Sequence, residues 1–577
     1  MPRLFPIFVL VVAGALPAAA RAQTEEAGPV NLPPFIVEEM SKGPPWRYAE
    51  MPGFEILSRC DDRTTRELAF AHFRLHRLLE LLLPARLQLT FAVPKAVIFY
   101  DEALQSAASR EVIASMLQSA PKDAPLLDLP DFGGGRFGGR GSPGVLPAPR
   151  RVGFLPNLRL WDKDAMTVFA IVRAGGYDSD RLVLTRDYVN YLLLNRTPAL
   201  PWWFVAGVLA LYEHADYHAH SLSLGPMVWI SEAATDALRS DPKTAPAPLP
   251  LAEFLSGLPP PASPANDARR KLWIAQSALF LRWALDGRTP AQREAFWDLV
   301  DHAVAGVSPE MFQHCFGVDF PTADRQLAAY LPAAVRKTVT LKPASPLKPP
   351  TLALRNASDG DLARLKGDWE RLEVGFVRAR FPALAGQYLE QARRTLHHAY
   401  DRDVRDPRLL AVLGLCECDA GDDRAAREYL EEAARLGPLR PRAGYELARL
   451  RFAAAGAAPA GPGGRLSAAQ IAEVFTPLFA VREQPPPLPE VYDLIAQVWE
   501  RAAFQPTRGH LDVLEDGVRL FPRRSGLIYR AAALYADHGY ADEATKLIGL
   551  GRLVAKDAGE RERFAQLEAR LAASPVK

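Results

Sequence analysis

Asp406-Pro407-Arg408-Leu409-Leu410-Ala411-Val412-Leu413-Gly414, continued by Ala426, Leu430 and Ala433 and closed by Pro438, sets the architecture of the second half of the chain. Its apolar and small residues recur at helical spacing. Asp406-Pro407 returns as Arg440-Pro441, 34 positions later, and Pro489 is followed by Pro522 at 33. A period of that length is the mark of a helix-turn-helix unit stacked on copies of itself.

In residue type and spacing these positions resemble the tetratricopeptide consensus. Small residues fall where two helices cross closely, large ones fill between repeats, and proline ends the unit. A looser copy holds Ile528, Ala532, Tyr535, Gly539 and Ala544. The resemblance implies an all-α solenoid over residues 361–577, with three to four helix pairs interrupted by the Ala/Gly/Pro stretch 453–464. Stacked pairs leave a groove suited to extended peptides or partner helices, so a protein or peptide partner is expected. The alternative is a helical appendage that only stabilises its neighbour. Residues 336–360 are dense in Pro and Lys and read as an extended linker between domains.

Upstream the periods are mixed. Residues 54–58, 95–100, 152–160 and 166–172 read as strands, and residues 65–83 as a helix that Thr64 and Glu67 would open as a capping box. Strand, helix, strands and then paired helices is the order of a small α+β domain. The paired helices begin Arg186-Asp187-Tyr188-Val189-Asn190 and continue through Leu192-Leu193-Leu194. After Leu200-Pro201-Trp202-Trp203 the second helix runs through Phe204-Val205-Ala206-Gly207-Val208-Leu209-Ala210.

This arrangement resembles the peptidase-MA-like branch of the gluzincin zinc metallopeptidases, over about residues 52 to 332. Leu272-Trp273-Ile274-Ala275-Gln276-Ser277 is similar to that family's later Tyr-Ala-Gln-Ser helix, and Phe316-Gly317-Val318-Asp319 through Tyr330-Leu331 to its closing element. The resemblance implies a zincin-like domain over residues 51–335 and assigns the zinc roles to four positions. The first His ligand falls on Arg186, the general-base Glu on Asp187, the second His on Asn190 and the third ligand Glu on Ala206. Arg186 is permanently cationic, Asn190 offers a neutral amide, and an alanine methyl binds no metal. Asp187 keeps a carboxylate one methylene short of the family's base. Four roles lost together imply a pseudoenzyme with no zinc and no cofactor.

A relocated metal site is the competing expectation. His214 and His218 stand four apart with acids close by, and on a helix they would share a face; they read more simply as exposed histidines at a polar helix end. His72 and His76, also four apart, border the apolar stripe of Leu68, Leu75, Leu79 and Leu82 and read as boundary histidines. The Gly-x-Gly-x-x-Gly match at Gly133, Gly135 and Gly138 is followed by a Pro-rich stretch, not a helix, so it is an accidental match. No nucleophile elbow or Ser/His triad is recognisable.

With 69 basic and 67 acidic residues the chain carries a net charge of +2, which gives no electrostatic case for nucleic acid or an anionic membrane. Arg3, an apolar run and Ala20-Arg21-Ala22 describe a cleavable export signal over residues 1–22, followed by an extended lead-in over 23–50. No later stretch is long and apolar enough for a membrane span. The Ala/Arg/Leu/Pro-rich composition fits a GC-rich bacterial genome, so a periplasmic or extracellular protein of a Gram-negative bacterium is expected. Cys60, Cys315, Cys416 and Cys418 are too few for a disulfide scaffold and read as buried thiols, with Cys60 to Cys315 the one pairing left open. The sum is an exported, non-catalytic protein with a pseudo-peptidase domain and a repeat domain that binds protein. The alternative is an active metallohydrolase using His214 and His218 on zinc.

Overall fold

The computed structural model describes residues 44–104, 158–172, 186–227, 229, 246–256, 259–260, 263–304, 306–380 and 382–573. The expected export signal and the Gly-rich run lie outside them. Nine strands occur among the described residues: β1 (Arg47–Met51), β2 (Phe54–Ser58), β3 (Lys95–Asp101), β4 (Leu158–Trp161), β5 (Met166–Val172), β6 (Ala215–Tyr217), β7 (Leu222–Leu224), β8 (Val339–Leu341) and β9 (Arg355–Asn356). A mixed six-stranded sheet has the order β4-β5-β3-β2-β1-β9. Its centre is parallel, with Ile56 opposite Val97 and Val97 opposite Val168. Every residue of β2 is buried, as a strand covered on both faces requires. The remaining strands form a small antiparallel sheet, β6-β7-β8.

One face of the large sheet is covered by α1 (Asp62–Leu79) through Leu68 and Ala69. Its start differs from the expected capping box. Asp61 accepts the backbone N–H groups of Arg63 and Thr64, each at 2.9 Å, and the Thr64 hydroxyl donates to the same carboxylate at 2.6 Å. A carboxylate at the helix start also meets the positive end of the dipole, so Asp61 takes the cap that Thr64 was expected to fill.

Beyond the sheet, α2 (Arg186–Leu194) leads into α3 (Trp202–Tyr212), then α4 (Leu251–Phe254), α5 (Asp267–Leu285), α6 (Pro290–His302), α7 (Pro309–Phe316) and α8 (Phe320–Ala334). The α3 helix is apolar all round and lies inside a core shared with α5, α6 and α8. Gln276 locks α5 to the chain at Leu249, accepting that residue's N–H at 2.6 Å and donating to its carbonyl at 2.7 Å. Gly317, at φ 73°, ends α7 in the left-handed conformation, and Asp319 caps α8. Helices α3 and α5 touch at Gly207, where an added Cβ would sit 2.6 Å from the Ser277 carbonyl oxygen. Gly207→Ala should therefore destabilise the chain by about 1–3 kcal/mol, read as a lowered urea midpoint. An unchanged midpoint would show that the two helices are not held this close.

From residue 359 the chain is helical: α9 (Asp359–Arg380), α10 (Ala385–Tyr400), α11 (Pro407–Ala420), α12 (Asp423–Leu436), α13 (Pro441–Ala457), α14 (Ala468–Val481), α15 (Pro489–Glu500), α16 (Arg508–Leu520), α17 (Ser525–Asp537), α18 (Ala541–Val554) and α19 (Ala558–Ala573). These are five helix pairs and a terminal helix among the described residues, more than the three to four expected. The stretch 453–464 does not break the series of pairs: α13 runs into it as far as Ala457, the rest belongs to the connection to α14, and the two helices pair. Proline opens α11, α13 and α15. Pro522 instead lies in the turn before α17. At Gly414 a Cβ would fall 2.5 Å from Leu430, which is why a small residue stands at that crossing.

The Pro/Lys-rich segment is not a linker holding two domains apart. Its β8 joins the small sheet, Leu341 opposite Leu222, and its β9 joins the large one, Asn356 opposite Arg47. Pro343, Pro346, Pro349 and Pro350 fall between these two edge strands, where a missing N–H costs no ladder bond. The expected lead-in likewise ends early, because β1 begins at Arg47. The second face of the large sheet is covered by α9, with Leu365, Trp369 and Leu372 against Tyr48, Leu57, Ile98 and Phe169. The first repeat helix is thus part of the core of the α/β region.

Candidate functional site

The four positions that the peptidase resemblance singles out lie on α2 and α3. Arg186 opens α2, and its Nε is 2.6 Å from Glu213 Oε1, just past the end of α3. The guanidinium at the first ligand position therefore already has a carboxylate partner from its own chain. Asn190 and Ala206 are half-buried, and the side chain of Asp187 lies outside the described residues.

Between them, Tyr188 organises a cluster that the sequence reading passed over. Its hydroxyl is 2.9 Å from His76 Nε2 and accepts from Lys95 Nζ at 2.8 Å. His76 Nδ1 is 2.9 Å from the His72 carbonyl oxygen, which only accepts, so that nitrogen carries the proton. Burial, then the neighbouring His72 ring and the Lys95 ammonium, holds His76 well below the usual histidine range, and Nε2 is left to accept the Tyr188 proton. The order Lys95 to Tyr188 to His76 to the His72 carbonyl is a fixed hydrogen-bond chain. The Lys95 ammonium also lies 5.4–5.6 Å from the rings of Phe54, Phe91 and Tyr188. His72 is buried rather than at the edge of the apolar stripe, and burial followed by Arg159 and Lys95 holds it neutral too.

His214 and His218 do not share a helical face. Helix α3 ends at Tyr212, and the two residues flank β6 in a hairpin, exposed, with His218 Nε2 3.1 Å from Ser223 Oγ. Among the described residues no group of three or more His, Cys, Asp or Glu side chains is gathered as a metal site would need. Cys60 and Cys315 belong to different cores, and all four cysteines are free; burial pushes the Cys60 thiol up to about 12.

The densest electrostatics lie where the sheet meets the repeats. Glu55 of β2, 2 % exposed, accepts from both terminal nitrogens of Arg364 at 2.8 and 2.6 Å, from Arg408 at 3.2 and 2.5 Å and from the Tyr48 hydroxyl at 2.7 Å. In the turn after β4, Asp162 accepts from Arg371 at 2.9 Å and from Arg442, and Asp164 caps the Arg442 backbone N–H at 2.8 Å. Asp368 and Asp419 complete the set, bonded to Arg371 at 2.9 and 2.8 Å. Burial opposes charge on Asp162, but Arg371, Arg442 and Arg440 outweigh it and hold the carboxyl well below the usual range. Burial instead raises Asp164, helped by the neighbouring Asp162 charge. Three arginines thus face four carboxyl groups, one of them pushed toward its neutral form. Lys163 adds an ion pair with Glu490 of α15 at 2.8 Å. Over these first helices a face of the repeats, expected to be open to a partner, is occupied by the chain's own sheet.

The outer helices carry a different surface. Phe479 and Phe504 are 42 % and 40 % exposed. With Phe475, Trp499 and His510 they form one aromatic cluster, in which Trp499 stacks on His510 at 5.1 Å and meets Phe475 edge-on at 5.0 Å. A cavity of about 380 Å³ opens beside it.

No protein-family model matches the chain, and no curated protein sequence does. Among solved structures it is similar to a thermophilic TPR protein of Thermus thermophilus, at 18% identity and a TM-score of 0.24, over 35% of this chain and 99% of that one. So low a score carries no weight on its own; the helix pairs themselves define a helical-repeat region, joined to an α/β region with a mixed sheet. No described helix is long and apolar enough to cross a membrane.

Proposed function

We propose that this is an exported, non-catalytic protein in which a degenerate zincin-like region serves as the base of a helical-repeat module that binds a protein partner. The observation that carries the reading is the aromatic cluster on the outer helices, in which exposed Phe479 and Phe504 adjoin half-buried Phe475 and buried Trp499 beside a cavity, since exposed aromatic residues next to a cavity are the types that anchor partners. The loss of catalysis is supported by the replacement of all four zinc roles and by the engagement of Arg186 with Glu213.

Affinity capture with the chain from residue 23 onward tests both parts, run beside the double variant Phe479→Glu, Phe504→Glu and with zinc measured on the same samples. A single protein should be retained in stoichiometric amount by the wild type and lost about tenfold or more by the variant. Zinc should stay below about one-tenth of an equivalent. A full equivalent of zinc, with peptide hydrolysis that vanishes in His214→Ala, His218→Ala, would overturn the reading in favour of a metallohydrolase.

A further inference from the structure

A cavity of about 650 Å³ lies between the two regions, away from both the aromatic cluster and the Tyr188 chain. Its apolar wall includes Trp161, Tyr191 and Trp202 from the α/β region, and its other wall is the start of α15 and the turn before α17. Arg523 and Glu490, opposite in charge, both belong to this lining. The guanidinium of Arg523 rests 4.1 Å above the Trp202 ring and donates to the Leu200 carbonyl at 3.2 Å, yet it forms no ion pair with any described carboxylate. The residue is half-buried, and its other N–H donors have no acceptor among the described residues. Burial without a counter-charge pushes Arg523 down to about 10, so it remains cationic at neutral pH. Opposite in sign, Glu490 gives one oxygen to Lys163, while its Oε2 is buried with no hydrogen-bond partner.

A half-buried cation without a described carboxylate partner and a buried carboxylate oxygen without a donor line one aromatic-walled cavity, and the unpaired buried oxygen is costly unless something completes it. A ligand that does so needs a carboxylate for the Arg523 fork, an N–H donor for Glu490 and an apolar side chain for the tryptophans. We infer that this cavity binds the carboxyl-terminal residue of a short peptide with an apolar or aromatic side chain, its carboxylate on Arg523 and its N–H on Glu490. The inference rests on the reading of the chain as a protein-binding module, and gives it a second, chemically defined site.

The experiment uses the full chain from residue 23 and the dipeptide leucyl-phenylalanine, with its C-terminal amide as control, followed by tryptophan fluorescence and calorimetry. The free acid should bind saturably and at least about tenfold more tightly than the amide, the scale of one charge-assisted contact. Arg523→Gln should erase that preference. Glu490→Gln should weaken both probes about equally. Equal affinity of acid and amide for the wild type would overturn the assignment, a comparison that needs no variant to fold. So would a preference that survives in Arg523→Gln, or displacement of the dipeptide by inorganic phosphate alone at equal concentration. No saturable binding in a chain whose aromatic cluster still captures a partner defeats this site only; failure of both defeats the binding reading as a whole.

Discussion

Asp162→Ala is expected to lower the unfolding free energy by about 3–5 kcal/mol, the usual cost of removing one member of a buried ionic set and stranding its partners. Arg371 and Arg442 lose a direct acceptor, and both are tied to Asp419, so the damage spreads from the turn after β4 into α11. Urea unfolding followed by circular dichroism measures it. The same experiment tells whether the two regions unfold together: with the ion set intact one transition is expected, and in the variant the transitions of sheet and repeats should separate. A loss below about 1 kcal/mol would mean that water reaches the arginines and that the set is not a dry junction.

The second large effect is a dependence on pH. Burial works against the charge of Glu55, but the forks of Arg364 and Arg408 outweigh it and hold the carboxyl at about 2, against 4.5 in the unfolded chain. A folded value below the unfolded one means that the contribution is full above pH 4.5 and is lost as the pH falls from there through about 2. A depression of that size corresponds to about 3 kcal/mol. The stability gap between the wild type and Glu55→Gln should accordingly shrink by most of that amount between pH 5 and pH 2.5. A gap that stays constant over this range would show that Glu55 titrates normally and that the two arginine forks are not formed in solution.

Both effects concern residues for which the sequence offered no local signal. Asp406 to Pro441 was readable because each helix of a repeat buries its face on a neighbour close in sequence, so type and spacing agree. Gly414 against Leu430 is that agreement in one contact. The strands at 54–58, 95–100 and 166–172 were readable for the same reason of apolar run and length. By contrast α9 carries Arg364, Lys366, Glu370, Arg371 and Glu373 as buried residues, and polar residues are what a repeat face should lack. Arg371 and Arg364 find partners 209 and 309 positions away, beyond any window of periodicity. The edge strands β8 and β9 were hidden by the prolines around them. At the start of α2, attention to positions 186, 187 and 190 missed Tyr188, whose hydroxyl is bonded to both His76 and Lys95.

The pairing of β1 with β9 joins residues 309 positions apart in sequence. A chain growing from its N-terminus at the ribosome therefore makes β1, β2 and β3 long before the strand that closes their edge, and makes Glu55 and Asp162 before the arginines that neutralise them. Until residues 355–442 have emerged, the first-made half is an open sheet edge with stranded carboxylates, slow to close and exposed to proteases and to pairing with other chains. The sheet and its ion pairs are therefore completed only once the first repeats have been made, and a truncation anywhere before residue 442 should yield an insoluble fragment rather than a working half.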